Sequence, residues 1–125
     1  MALQCLIVDD NAEFLAAARG LLEGQGVTVV GVASTSAEAL RCAAELSPEL
    51  ALVDVDLGPE NGFDLARRLT DLPRPVPVVL ISTYAARDLE DLVAPSGAVG
   101  FLSKRGLSRT AIDELLAAAN EPPGR

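Results

Sequence analysis

Five short apolar runs, at 3–8, 27–33, 50–53, 76–81 and 98–102, alternate with stretches whose apolar residues recur at helical spacing. Runs of this length, rich in Val, Ile and Leu and bounded by turn residues, read as strands buried on both faces. Strand and helix alternating five times leaves few architectures, because helical crossovers return the chain in the same direction. The expected fold is an α/β domain with a five-stranded parallel sheet and helices on both faces. Half of the 125 residues are hydrophobic but only 3% are aromatic, so the core must be Leu, Val, Ile and Ala, as in helix-covered sheets. One domain is expected over 1–120, with the Glu-Pro-Pro-Gly-Arg of 121–125 a linker stub or disordered tail.

Between the strands, Asn11 is placed to cap a first helix carrying Phe14, Ala18, Leu21 and Leu22 on one face, closed by Gly24-Gln25-Gly26. Thr35 with Glu38 forms a capping box for a second, with Ala37, Leu40 and Ala44 as its stripe. Leu65, Ala66, Leu69 and Leu72 mark a third, ended by Pro73 and Pro75, and Leu89, Leu92 and Val93 a short fourth. Ser108 caps the last, whose apolar face is Ile112, Leu115, Leu116 and Ala119.

Several function classes are excluded. A net charge of −8 gives this domain no field with which to grip nucleic acid. With no His, imidazole-metal sites and His-based catalysis are ruled out. Cys5 and Cys42 stand apart in apolar settings and read as small buried hydrophobes. No segment has the length of a membrane span or the order of a signal peptide, and a cytoplasmic protein is expected.

A parallel sheet gathers the C-terminal ends of its strands along one edge, where ligands bind in open α/β folds. Here those ends carry Asp9-Asp10, Asp54, Ser82 and Lys104. Carboxylates brought together repel unless a cation neutralises them, and a small hard ion such as Mg²⁺ or Mn²⁺ suits such oxygen ligands. Lys104 adds a point charge for an anionic oxygen and Ser82 a hydroxyl donor. Around one Asp, that set cradles a phosphoryl group, and carboxylates do serve as nucleophiles in phosphoryl transfer.

Over essentially its whole length the chain resembles the receiver domains of bacterial two-component response regulators. The residues that carry the likeness are the acidic pair Asp9-Asp10, Asp54 at the end of the third strand, Gly62, Ser82, Lys104 and the aromatic Phe101. The resemblance implies a flavodoxin-like (βα)5 fold with strand order 2-1-3-4-5. It implies a phosphoacceptor at Asp54, with Ser82 and Lys104 on the phosphoryl oxygens. Mg²⁺ would be held by Asp10, Asp54 and the main-chain carbonyl of Asp56, with Asp9 assisting through water. Ser82 and Phe101 would form the conformational switch. It further implies a histidine kinase or phosphotransfer protein as partner and no turnover enzyme. An output domain, or a homodimer through the fourth and fifth helices, would follow, with transcription as the expected output. Direct nucleic-acid binding by this domain and membrane association are not expected.

The chain also departs from the pattern. Arg105 replaces the usual Pro after the Lys, and since a non-proline cis bond costs about 3 kcal/mol, a trans bond and a different following loop are expected. Phe101 lacks the hydroxyl of the commoner Tyr, and Thr83 stands where smaller residues are common. Asp56 and Tyr84 occupy positions that tune phosphoryl lifetime in that family, and Asp88, Glu90 and Asp91 read as a solvated acidic face, at a place where the family often has partner contacts. Two competing readings use the same residues. Asp54-Val55-Asp56 fits the DxD of haloacid-dehalogenase-type phosphatases, although that motif belongs on a first strand. A phosphorylation-independent interaction module would leave Asp54 vestigial.

Overall fold

A computed structural model describes residues 3–83 and 90–119. The expectations placed on Tyr84, Asp88, Leu89 and the 121–125 tail lie outside the described residues, as does the side chain of Glu90.

Five strands form the main sheet: β1 (Gln4–Val8), β2 (Thr28–Ala33), β3 (Leu50–Asp54), β6 (Val78–Ser82) and β7 (Gly100–Ser103). Their order is β2-β1-β3-β6-β7 and every pairing is parallel. This is the expected 2-1-3-4-5 arrangement, with β6 and β7 as the sheet's fourth and fifth strands. Between β3 and the next helix lies a two-residue antiparallel ladder, β4 (Asp56–Leu57) with β5 (Glu60–Asn61). The helices are α1 (Ala12–Gly24), α2 (Ser36–Leu46), α3 (Gly62–Thr70), α4 (Glu90–Val93) and α5 (Arg109–Ala119).

Alternation along the strands splits the core in two, since successive side chains point to opposite faces. Leu6, Val8, Ala51, Val53, Val78 and Leu80 meet Ala39 and Ala43 of α2 and Leu65, Ala66 and Leu69 of α3. Cys5, Ile7, Leu50, Leu52, Val79 and Ile81 meet Leu15, Ala18 and Leu22 of α1 and Ile112 of α5. The three central strands are thus buried on both sides, which is why they read as unbroken apolar runs.

The helix faces differ from expectation. On α1, Ala18 and Leu22 are buried as expected and Phe14 packs on the same core, but Leu15 joins them in place of Leu21, which is 44% exposed. On α2 the buried alanines are Ala39 and Ala43, and Ala37 and Ala44 face out. Alanine at all four positions leaves hydrophobicity unable to choose a face. Leu72 follows the end of α3 and still packs on the core, whereas Ala119 is exposed.

The caps form. Asn11 Oδ1 accepts from the backbone N–H groups of Glu13 and Phe14 at 2.9 and 3.2 Å, and Ser108 Oγ from that of Ala111 at 3.0 Å. Thr35 Oγ1 accepts from Glu38 N–H at 3.1 Å, while the Glu38 carboxylate reaches back to the N–H and hydroxyl of Ser34. The box therefore closes one residue earlier than drawn. No cis peptide occurs among the described residues, Lys104–Arg105 included, and a single 3-10 turn (Lys104–Gly106) follows β7. Among the described residues no helix is long and apolar enough to cross a membrane.

Both cysteines are free. Burial pushes the Cys5 thiol up to about 12, against a weaker opposing backbone hydrogen bond, so at neutral pH it lacks the reactive thiolate. Iodoacetamide at pH 8 is expected to label half-buried Cys42 and to reach Cys5 only after unfolding, as peptide mass mapping would read out.

Candidate phosphoacceptor and metal site

Four strands of the parallel sheet, β1, β3, β6 and β7, deliver polar termini to the same edge. Asp9 follows β1 and is fully buried, Asp54 ends β3 at 5% exposure, and Ser82 ends β6 at 1%. Asp10 is exposed. One carboxylate oxygen from each of Asp9, Asp10 and Asp54 lies within 4.8 Å of the others. The register sets Asp54 opposite Ile81, one residue before Ser82, and Ser82 opposite Ser103, one residue before Lys104.

Lys104 bridges the acidic groups. Its Nζ lies 2.6 Å from Asp9 Oδ2 and 3.2 Å from Asp54 Oδ2. Burial works to lower the ammonium's pKa, but Asp9 and Asp54 outweigh it and hold the group above its ordinary value. For Asp54 the balance runs the other way: burial, helped by Asp9, pushes the carboxyl up to about 6 against the Asp56 N–H and Lys104. The remaining oxygens are tied to the backbone, Asp9 Oδ1 accepting from Asn11 N–H at 2.9 Å and Asp54 Oδ1 from Asp56 N–H at 3.2 Å.

The loop after β3 explains two residues. The Asp56 side chain, exposed, accepts from Gly58 N–H at 3.1 Å, a local turn that short acidic side chains favour. Gly62 is needed for space rather than for a permissive backbone. A Cβ there would stand 2.0 Å from the carbonyl oxygen of Asp54 and 2.7 Å from Val55 Cα. Gly58 has φ +70°, and a Cβ on it would meet Asp10 Oδ2 at 3.1 Å. Phe101 is half-buried against the α2–α3 side of the core, and Thr83 is exposed.

The family model for the response regulator receiver domain matches residues 5–119. The chain belongs to that family. Over 114 residues it is 36% identical to a Pseudomonas aeruginosa protein assigned to transcriptional regulation, covering 91% of this chain and 53% of that one. It is 29% identical to the transcriptional regulatory protein PdtaR of Mycobacterium tuberculosis, covering 79% and 48%. The receiver thus spans about half the length of both curated relatives. Among solved structures, a Burkholderia pseudomallei response regulator superposes with a TM-score of 0.81 at 27% identity, covering 94% of this chain and 68% of that one. Its crystal structure holds a phosphorylated aspartic acid, a calcium ion and citrate. The match assigns the chain to receivers and gives no support to the phosphatase reading of Asp54-Val55-Asp56.

The acidic pocket of this receiver fits a hard divalent cation. Asp9 Oδ2 is sealed from solvent and faces the Lys104 ammonium at 2.6 Å, which leaves one of its lone pairs uncommitted. A buried oxygen with capacity to spare, beside two further carboxylates, is the donor set such ions take.

Two contacts, one at the site and one in the loop after β3, had no sequence signal. The Phe14 ring, read only as part of the α1 face, lies with its centroid 4.3 Å from Lys104 Nζ. Glu60 Oε1 accepts from Ser36 N–H at 2.9 Å, tying the β4–β5 loop to the start of α2.

Proposed function

We propose that Asp54 is the phosphoacceptor of this receiver, taking its phosphoryl group from a partner histidine kinase or phosphotransfer protein. The observation that carries the reading is the placement of Lys104 Nζ against Asp54 and Asp9 in a pocket of three carboxylates. The phosphorylated aspartic acid in the Burkholderia relative supports it. With no His in the chain, a phosphohistidine donor must come from the partner.

One oxygen of the Asp54 carboxylate attacks phosphorus. The bond from phosphorus to the donor's imidazole nitrogen breaks, and its electron pair leaves with that nitrogen. Attack requires the ionised carboxylate, and a carboxyl pushed up to about 6 is mostly ionised at pH 7 and above. Lys104 exchanges its contact with Asp54 for one with a phosphoryl oxygen, and the Ser82 hydroxyl donates to another. Mg²⁺ or Mn²⁺ would be held by Asp9, Asp10, Asp54 and the Asp56 carbonyl. Bound there, it would neutralise carboxylate and phosphoryl charge, the main catalytic need in phosphoryl transfer.

The product adds charge at the end of β3, beside Ser82 at the end of β6, and Phe101 stands within the next strand, β7, paired with Leu80. Drawing Ser82 toward the phosphoryl group and letting Phe101 turn inward would alter the surface near α4 and α5, a bistable element biased by local charge. Output then passes to a partner surface or domain, with transcription the favoured outcome. We place the protein in the cytoplasm, where two free thiols fit. Incubation with acetyl phosphate and Mg²⁺, followed by intact and peptide mass spectrometry, tests the reading. One added phosphoryl group should map to the peptide containing Asp54; addition elsewhere, or none with any donor, overturns it.

A further inference from the structure

We propose that Phe14 is a positioning residue for Lys104, its ring face holding the ammonium beside Asp54. The inference rests on the role just given to Lys104. The ammonium has an acidic side, with Asp9 at 2.6 Å and Asp54 at 3.2 Å, and a ring centroid at 4.3 Å. That separation is well inside the range over which an aromatic quadrupole attracts a cation.

The ring is itself anchored to the site. Asn11 Oδ1 accepts from the N–H of Phe14, and Asn11 N–H donates to Asp9 Oδ1. Asp9, the start of α1 and the Phe14 ring therefore form one unit, with half-buried Phe14 packed on the α1–α5 side of the core.

Lysine needs such a wall. Its charge sits on a flexible four-carbon stem, and Lys104 begins a single 3-10 turn whose capping bond runs from Gly106 N–H to Ser103 Oγ. A ring adds no negative charge and takes no lone-pair hydrogen bond. It keeps the ammonium near the pocket while leaving its N–H donors for Asp54 and then for a phosphoryl oxygen. The gain is preorganisation, which acts on the rate of phosphoryl transfer.

Phe14→Leu keeps an apolar side chain and removes the ring face; Phe14→Tyr keeps the face. With acetyl phosphate and Mg²⁺, Phe14→Leu is expected to slow the maximal rate of phosphoryl uptake by about five-fold, the scale of a partly desolvated cation–π contact. The half-saturating donor concentration should not change, and Phe14→Tyr should stay within about two-fold of the parent. In NMR spectra, the Lys104 Hε resonances should lose a ring-current shift in Phe14→Leu and keep it in Phe14→Tyr. Equal rates in the parent and Phe14→Leu, or equal losses in Leu and Tyr variants, overturn the proposal. Absence of uptake in the parent would instead overturn the Asp54 reading, and the Lys104 shifts would still decide whether the ring holds the ammonium.

Discussion

Asp54→Asn is expected to abolish phosphoryl uptake and, in metal-free buffer above pH 6, to make the domain more stable. The first effect follows because an amide is no nucleophile toward phosphorus. The second follows from burial. Folding pushes the Asp54 carboxyl from its ordinary 3.8 up to about 6, so between those values the folded chain binds the proton that the unfolded chain has released. Stability then falls as pH rises through that window and the full penalty is present above it. With the side chain nearly sealed but Lys104 offsetting part of the cost, the penalty is on the order of 2 kcal/mol after screening. The neutral amide of the variant carries none of it, and its oxygen can still accept from Asp56 N–H. Chemical denaturation in EDTA should give parent and variant similar stabilities near pH 4 and a gap favouring the variant at pH 8. Mg²⁺ should narrow the gap by stabilising the parent through mass action. A parent at least as stable as the variant at pH 8 in EDTA would contradict the assignment of burial as the dominant influence on Asp54.

The strands and the polar residues at their ends were legible because both have one-dimensional causes. A strand covered on both faces must be apolar at every position, and a parallel sheet puts functional side chains just past its C-terminal ends. Asp9, Asp54 and Lys104 meet for that reason, and Ser82 ends the strand beside them. Helix faces were less legible where alanine sits all round, as on α2, since only packing decides between Ala37 and Ala39. The β4–β5 ladder is two residues per strand, too short for any periodicity, and read simply as a turn. The Asp56 side chain was opaque because its partner, Gly58 N–H, depends on the loop's path. Phe14 illustrates the remaining limit. Its place on an apolar face was visible, but its position against Lys104 depends on where α1 crosses the sheet edge, a tertiary fact.

Gly62→Ala is the backbone counterpart of Asp54→Asn and should damage fold and function together. The methyl group would sit 2.0 Å from the Asp54 carbonyl oxygen and 2.8 Å from its carbonyl carbon, so either the α3 start or the end of β3 must move. Neither is free. Gly62 N–H donates to Val55 O at 3.0 Å, Val55 N–H to Ile81 O at 3.0 Å, and Asn61 caps α3 through Phe63 N–H at 2.7 Å. Forcing a methyl group into packing this tight costs about 3 kcal/mol. Backbone displacement would be felt at the Asp54 carboxylate, and a misplacement of about 1 Å lowers a positioned reaction by roughly 100-fold. Two other glycines provide the comparison. Gly58→Ala meets only the exposed Asp10 carboxylate and a φ of +70°, so it should cost about 1–2 kcal/mol and weaken metal binding more than folding. Gly20→Ala, inside α1 with nothing within 4 Å of the new methyl, should stabilise by about 0.5–1 kcal/mol. Urea titrations of the three variants, paired with acetyl phosphate labelling, check the ranking. A Gly62→Ala protein that folds and labels like the parent would show that the close approach does not hold Asp54 in place.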